Sequence, residues 1–248
     1  MGEQAPVRKW SVISLSAMAL SMLAASVQAV NLVSNGSFEQ SSFTPANSSQ
    51  FTTQVTDWDN ADPFGRVYLF FPNTATTSGA VYTASNPFYT LVLNQVGEPS
   101  CDGGNFVGID SDPTFQTPIT QMIGGLQAGQ KYTLSFCWAL SQERNVLGPT
   151  TDQWQVTLGS ETQSTAVVAN PSQGFTGWFA ESFTYTPAVG GNQLLSFLAV
   201  GSPAGIPPFA LLDGVRLEKV LAEPGSYVLV AVALLGLLLA HKRRSERA

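Results

Sequence analysis

The stretch KYTLSFCWA, residues 131–139, alternates large apolar side chains with small or polar ones. Tyr132, Leu134, Phe136 and Trp138 fall on one face of an extended chain, because successive side chains of a strand point to opposite sides. The stretch QWQVTL, residues 153–158, repeats the pattern, with its tryptophan, valine and leucine on one face. Both stretches therefore predict strands that bury one face, as in antiparallel sheets.

Similar short segments recur along the chain, and turn signals separate them. We predict further strands at 106–109, 177–186, 193–200 and 211–220. The turn signals are Gly103-Gly104, Gly124-Gly125, Gly148-Pro149, Gly190-Gly191 and Pro207-Pro208. Frequent short strands with such turns indicate an all-β, two-sheet antiparallel sandwich. Residues 40–99 are less regular, and we expect long loops and a few strands there.

Composition supports a β-rich, turn-rich domain and argues against nucleic-acid binding. Charged residues are only 11% of the 248 residues, whereas the chain has 22 Gly and 15 Pro. Between residues 30 and 223 there are five basic and fifteen acidic residues, a net charge of -10. Such a surface repels a phosphate backbone.

Histidine is confined to one position, His241, in the basic tail. The region 30–220 therefore lacks the histidine needed for Ser-His-Asp or Cys-His catalysis or for a histidine-ligated zinc. Two cysteines cannot complete a structural zinc site by themselves.

The N-terminus has the three-part pattern of a secretory signal peptide. Arg8 and Lys9 precede a largely apolar run at 10–25, and Val27 and Ala29 occupy the -3 and -1 positions of a small-residue cleavage site. We predict a signal peptide at 1–29, cleaved between Ala29 and Val30. The alternative is an N-terminal membrane anchor.

The C-terminus carries an uncharged run at 227–240, followed by His241, Lys242, Arg243 and Arg244. As a helix this run spans about 21 Å, short of the hydrocarbon core of about 30 Å. Basic side chains that reach the interface reduce that gap and place the tail in the cytoplasm. We predict a short membrane helix rather than a buried core helix, because the run is apolar on every face and ends in a block of positive charge.

This tail resembles the sorting segment of PEP-CTERM proteins of Gram-negative bacteria. Ala222-Glu223-Pro224 stands where that family has Pro-Glu-Pro, so the first proline is missing. The resemblance implies that segment 221–248 is recognised by an exosortase, a membrane transpeptidase. The chain would then be anchored in the inner membrane before processing, and would afterwards reach the cell surface or extracellular matrix.

Four motifs in the predicted β domain, 30–220, look like those of the galactose-binding-like jelly roll of many carbohydrate-binding modules. They are NLVSNGSFE at 31–39, DGGNFVGID at 102–110, GQKYTLSF at 129–136 and LLDGVRL at 211–217. The resemblance implies a structural calcium ion held in part by Glu39 and Asp213, since calcium prefers carboxylate and carbonyl oxygens. Gly214 replaces a second aspartate common in the family. The alternative is ordinary turn and edge-strand chemistry.

Cys101 and Cys137 form an even pair in a chain that enters an oxidising compartment, which favours a disulfide. Two free buried thiols are the alternative. A catalytic thiol is disfavoured because no histidine is available to lower its pKa.

Carbohydrate binding suggests two groups of candidate ligand residues. Trp58, flanked by Asp57 and Asp59, has the ring that stacks on a sugar, and Arg144 and Asp152 can hydrogen-bond its hydroxyl groups. For any single aromatic residue, core packing is the alternative.

Three functions from different classes follow from these features. The leading one is a non-enzymatic surface or matrix protein whose sandwich binds polysaccharide. The second is a structural or adhesive protein of the same fold without a sugar site. The third is a glycan-active hydrolase, which needs two acids across a cleft. Its candidate acids are Asp57, Asp59, Asp62, Asp110, Asp112 and Asp152.

Overall fold

A computed structural model describes residues 29–43, 48–49, 53–60, 66–77, 80–81, 90–97, 99–114 and 116–221, and positions 234, 236 and 245. The predicted leader as far as residue 28, the Ala222-Glu223-Pro224 motif and most of the apolar tail lie outside these residues. Within the part of the chain that is described, no helix is long and apolar enough to cross a membrane.

The described residues form fourteen strands. They are β1 Ser48–Ser49, β2 Asp59–Asn60, β3 Val67–Phe70, β4 Ala80–Val81, β5 Thr90–Leu91, β6 Phe106–Asp110, β7 Ile119–Leu126, β8 Tyr132–Gln142, β9 Thr150–Leu158, β10 Glu161–Ser164, β11 Val168–Asn170, β12 Phe179–Tyr185, β13 Gly191–Ser202 and β14 Pro208–Lys219.

Two antiparallel sheets face each other and make the sandwich. One has the order β10-β9-β13-β7-β2, with β11 also paired to β9, and the other has the order β12-β8-β14-β6-β3. From β6 to β9, and again from β12 to β14, each strand lies in the opposite sheet to the one before it. This alternation is the connectivity of a jelly roll. The short strands β1, β4 and β5 form a separate small sheet.

The core between the two sheets consists largely of the side chains that the alternating pattern placed on one face. Leu134, Phe136 and Trp138 of β8 and Trp154 of β9 are all at most 2% exposed. Phe197 of β13 lies at the centre, with its ring centroid 5.2 Å from Phe136, 5.9 Å from Trp154 and 6.2 Å from Trp58. Aromatic pairs at these separations add to the stability that apolar burial provides.

All six strands predicted from the sequence are present, as β6, β8, β9, β12, β13 and β14. The prediction of a turn at Gly124-Gly125 is wrong, because both glycines lie within β7. The two glycines are exposed near the end of the strand, where Gly125 has a φ of 75° and the register with β13 shifts, so that Ile123 and Leu126 are both buried.

A second apolar cluster covers part of the outer face of the five-stranded sheet. Tyr68, Phe70, Phe106 and Phe209 point away from the main core and are fully buried. A segment that we call the strap, the described residues 71–77 and 90–97, packs over them through Ala75, Leu91, Leu93 and Val96, together with Phe175 and Trp178. Ser141 Oγ donates to Gln95 O at 2.6 Å, and Trp178 Nε1 donates to Gly97 O at 2.7 Å.

Candidate functional site

The structure does not form the sugar-stacking surface that we predicted around Trp58. The ring is 1% exposed, its centroid lies 5.3 Å from that of Phe38, and its Nε1 donates to Asn35 O at 3.0 Å. The prediction of Trp58 as a ligand residue is therefore wrong, since the ring packs in the main core. Its neighbours Asp57 and Asp59 are exposed, and Asp57 has a positive φ of 66°.

Arg144 and Asp152, the other predicted ligand residues, engage different parts of the protein. Arg144 follows β8 and is exposed; its N–H donates to Val92 O at 2.7 Å, and its guanidinium donates to Thr76 O. Arg144 thus holds the strap. Asp152 lies on β9, and it is fully buried. Because of this burial Asp152 is not part of an open ligand surface.

Asp152 belongs to a buried polar cluster at one end of the sandwich. Ser111 Oγ contacts Asp152 Oδ2 and also lies 3.0 Å from Pro208 O. Burial raises the pKa of Asp152 to about 7, although the hydrogen bonds from Ser111 and from the Gln153 N–H oppose that rise. The carboxyl group of Asp152 is therefore largely protonated in mildly acidic solution.

Asp110 lies close to the same cluster, and its carboxyl group is 3.4 Å from Arg66 Nη1. Burial raises the pKa of Asp110 to about 6, against the hydrogen bond from the Asp112 N–H and the nearby guanidinium of Arg66. Asp110 and Asp112 are 2% and 1% exposed, so neither faces open solvent as a cleft acid would.

A line of hydroxyl side chains crosses the outer face of the six-stranded sheet. The strand register pairs Thr120 of β7 with Ser196 of β13, Ser196 with Thr157 of β9, and Thr157 with Thr162 of β10. We call these four residues the hydroxyl row; Thr157 Oγ1 and Thr162 Oγ1 are 2.8 Å apart. Neighbouring strands lie about 4.8 Å apart, so the row is about 14 Å long. Asp59 of β2 pairs with Thr120 and stands at its end.

Apolar and amide side chains flank the hydroxyl row. Met122 pairs with Leu194 on one side, and the two side chains are 59% and 44% exposed. Leu198 and Gln155 pair on the other side. Met122 and Leu194 also line a surface cleft of about 460 Å³, together with Val189, Asn192 and Gln193. Within β7, β9 and β13, no charged side chain lies on this outer face.

Asp213 occupies a second candidate site, on β14. Its side chain is buried, and its Oδ2 atom has no hydrogen-bond partner, whereas Oδ1 accepts from Gly214 N at 2.7 Å. The hydroxyl group of Ser100 lies beside this carboxyl group, and its oxygen is likewise buried without a hydrogen-bond partner. Burial raises the pKa of Asp213 to about 7. An unpartnered buried carboxylate is costly, and a bound cation would relieve that cost.

The donor set around Asp213 is of the kind that fits calcium, because carboxylate, hydroxyl and carbonyl oxygens are its preferred ligands. Glu39, the other predicted calcium ligand, is exposed, and its Oε1 accepts from Asn105 N at 2.6 Å. Glu39 and Asp213 thus contact opposite ends of one loop, residues 99–105. In the described ranges, no group of three His, Cys, Asp or Glu side chains is arranged to hold a metal ion.

Cys101 and Cys137 are joined by a disulfide, with their Cα atoms 6.2 Å apart. Cys137 lies on β8, and Cys101 lies in the loop 99–105, so the bridge ties this loop to the five-stranded sheet. Asp213 of β14 is the residue paired with Cys137 across the two strands. The bridge is therefore adjacent to the Asp213 site.

No protein-family model matches the chain, and no curated protein matches it. Among solved structures, a CBM61 module in complex with β-1,4-galactotriose is 17% identical, with a TM-score of 0.42 over 77% of this chain and 99% of that one. A CBM4 structure is 18% identical, with a TM-score of 0.36 over 76% and 99%. The CBM22-1 xylan-binding domain from Paenibacillus barcinonensis is 14% identical, with a TM-score of 0.32 over 66% and 100%. At these values the likeness carries no information on what this chain binds.

Proposed function

We propose that this chain is an exported, non-enzymatic surface or matrix protein whose sandwich binds a neutral polysaccharide. The observation that carries the proposal is the hydroxyl row next to the exposed Met122–Leu194 pair. Sugar rings present hydroxyl groups at their edges and apolar C–H groups on their faces. A row of hydroxyl side chains beside an apolar strip offers partners to both.

Charge favours a neutral polymer over an acidic one. The region 30–223 has a net charge of -10, yet the outer faces of β7, β9 and β13 carry uncharged side chains. A neutral sugar loses no ionic hydration on such a face, whereas a uronic or phosphorylated sugar is repelled by the surrounding acids. The contacts are hydroxyl, amide and aliphatic, so we expect weak binding at one site and stronger retention by a polymer that repeats it.

Export and exosortase processing are proposed on the sequence. The leader 1–29, the Ala222-Glu223-Pro224 motif and the basic tail support an inner-membrane intermediate that is later released to the cell surface or matrix. Val30, at the proposed cleavage junction, is 72% exposed. Fractionation of tagged protein with and without Glu223 and Pro224 tests this part: processing that is unchanged by loss of the motif contradicts it.

A structural calcium ion is the second part of the proposal. Asp213 would hold the ion through its unpartnered Oδ2, and Glu39, in the motif at residues 31–39, would supply a second carboxylate. The ion would neutralise a buried carboxylate and would stabilise the packing of the motif at residues 31–39 near β14.

The sugar site is tested with the full-length chain purified in detergent, on a glycan array and with soluble neutral polysaccharides. Ser196→Ala and Thr157→Val each remove one hydroxyl group from the centre of the row, and both together should weaken binding about tenfold. Thr184→Val, on the exposed face of β12, is the matched control and should leave binding unchanged.

Two results would contradict the sugar proposal. Absence of binding to every neutral glycan would favour the structural or adhesive alternative. Release of reducing ends from a polysaccharide by the wild-type chain would favour a hydrolase.

A further inference from the structure

The glycine that follows Asp213 leaves room for another part of the chain. Gly214 has a φ of +62°, and a Cβ atom placed on it would lie 3.3 Å from Asp102 Cβ and 3.6 Å from Cys101 Sγ. The space beside Asp213, where a side chain at position 214 would lie, is therefore occupied by the loop 99–105.

This loop carries oxygen donors towards Asp213. The Ser100 hydroxyl is unpartnered and 4% exposed, and it lies beside the Asp213 carboxyl group. The Asp102 carboxylate, 31% exposed at its side chain, is near enough to Asp213 to interact with it electrostatically. Two carboxyl groups and one hydroxyl group thus lie near one another, and two of their oxygens, Ser100 Oγ and Asp213 Oδ2, are buried without a hydrogen-bond partner.

The Cys101–Cys137 disulfide holds these donors where they are. Cys101 stands between Ser100 and Asp102 in the chain, and Cys137 is the cross-strand partner of Asp213. The disulfide therefore holds Ser100 and Asp102 close to Asp213, because it joins their chain neighbour Cys101 to Cys137.

We propose that the loop 99–105 completes the cation site, with Asp102 as the carboxylate that position 214 lacks and Ser100 as a hydroxyl ligand. The disulfide sets the affinity for calcium by keeping these two residues beside Asp213. This inference rests on the calcium site of the proposed function, and it adds the ligands and the element that positions them.

The ion pair between Arg216 and Asp102 allows a test in which the calcium affinity is expected to rise. Its Nη2 atom lies 3.5 Å from Asp102 Oδ1, and both side chains are partly exposed. The guanidinium competes with a cation for the same carboxylate. Arg216→Gln should therefore tighten calcium binding, whereas a merely structural role for the ion pair predicts no gain.

The experiment is a calorimetric titration of calcium chloride into the oxidised full-length chain at one fixed pH. Removing the Asp102 carboxylate in Asp102→Asn should weaken binding about tenfold or more. Asp59→Asn removes an exposed acid on the other sheet and is the matched control, expected to bind like the wild type.

The bridge is tested with the same chain after treatment with a dithiol. Two electrons and two protons pass to the bridge, which leaves thiols at Cys101 and Cys137, and the reagent becomes its cyclic disulfide. Binding should weaken by at least the same factor as in Asp102→Asn. Circular dichroism verifies that the reduced chain is folded; if it is not, the oxidised Asp102 and Arg216 variants decide.

The outcomes separate this inference from the calcium site itself. No heat with the oxidised wild type overturns the calcium site and the inference with it. Binding by the wild type that is unchanged in Asp102→Asn and Arg216→Gln overturns the inference and leaves a site at Asp213. Binding that is lost in Glu39→Gln but kept in Asp102→Asn shows that Asp213 and Glu39 hold calcium without Asp102, and it likewise overturns the inference.

Discussion

Asp152 makes the stability of the native protein depend on pH in the direction opposite to that of most acids. Its folded-state pKa is about 7, against an ordinary 3.8, because the carboxyl group is buried. Between these two values the folded chain binds more protons than the unfolded chain. The free energy of unfolding therefore falls as pH rises from about 4 to about 7.

Hydrogen bonding around Ser111 explains why the folded protein favours the protonated form of the Asp152 carboxyl group. The Ser111 hydroxyl has one proton, and it lies within hydrogen-bond distance of both Asp152 Oδ2 and Pro208 O. When Asp152 is ionised, only one of these two contacts is a hydrogen bond. When Asp152 is protonated, it donates to Ser111 while Ser111 donates to Pro208, so both contacts are satisfied.

We predict that Asp152→Asn stabilises the protein at pH 8 and leaves it nearly unchanged at pH 4. An amide can donate to Ser111 as the protonated acid does, and it does not titrate. A shift of about three pKa units lowers the free energy of unfolding of the wild type by about 4 kcal/mol between pH 4 and pH 8. Since folded domains are stable by about 5–15 kcal/mol, the difference is large enough to measure.

Urea denaturation followed by tryptophan fluorescence, at several pH values between 4 and 8 and with a chelator present, provides the assay. The wild-type profile also contains Asp110 and Asp213, so the quantity of interest is the difference between wild type and Asp152→Asn at each pH. Asp59→Asn, which removes an exposed acid, is the control. A difference that is independent of pH would refute the assignment of a raised pKa to Asp152.

Two further changes test the packing and the bridge. Trp58→Ala should lower the free energy of unfolding by about 3–5 kcal/mol, because the ring is 1% exposed in the main core. The folded fraction of this variant should still bind sugar. Loss of sugar binding at unchanged stability would show that Trp58 is a ligand residue after all. Cys101→Ser combined with Cys137→Ser opens a loop with a sequence separation of 36 residues, which costs about 4 kcal/mol on the chain-entropy model. Urea denaturation of the oxidised wild type and the double variant measures this, and a loss below about 1 kcal/mol would contradict it.

The sequence was sufficient to predict the sandwich because β9 and the first half of β8 each bury one face. In 131–139 and 153–158 the alternation directly reports which side chains enter the core. Strand β7 was missed because Gly124-Gly125 resembles a turn, and the burial of Ile119 and Ile123 depends on partners far away in the chain.

The sites were less accessible to sequence reasoning. Trp58 between two aspartates resembles an exposed ring, but only the packing of Phe38 and Phe197 around it shows that it belongs to the core. The hydroxyl row joins residues that are neighbours only through strand register, so no local motif could indicate it. The role of the loop 99–105 depends likewise on the pairing of Cys137 with Asp213 across two strands.

The strap determines how this protein can be shortened. A version with residues 72–97 replaced by a short linker would keep the two sheets and the core between them, to which Phe71 belongs. It would nevertheless leave only Phe175 and Trp178 to cover Tyr68, Phe70, Phe106 and Phe209, four contiguous rings that are fully buried in the intact chain. Exposed apolar patches of that kind drive self-association. The minimal soluble form of this sandwich therefore includes its least regular segment.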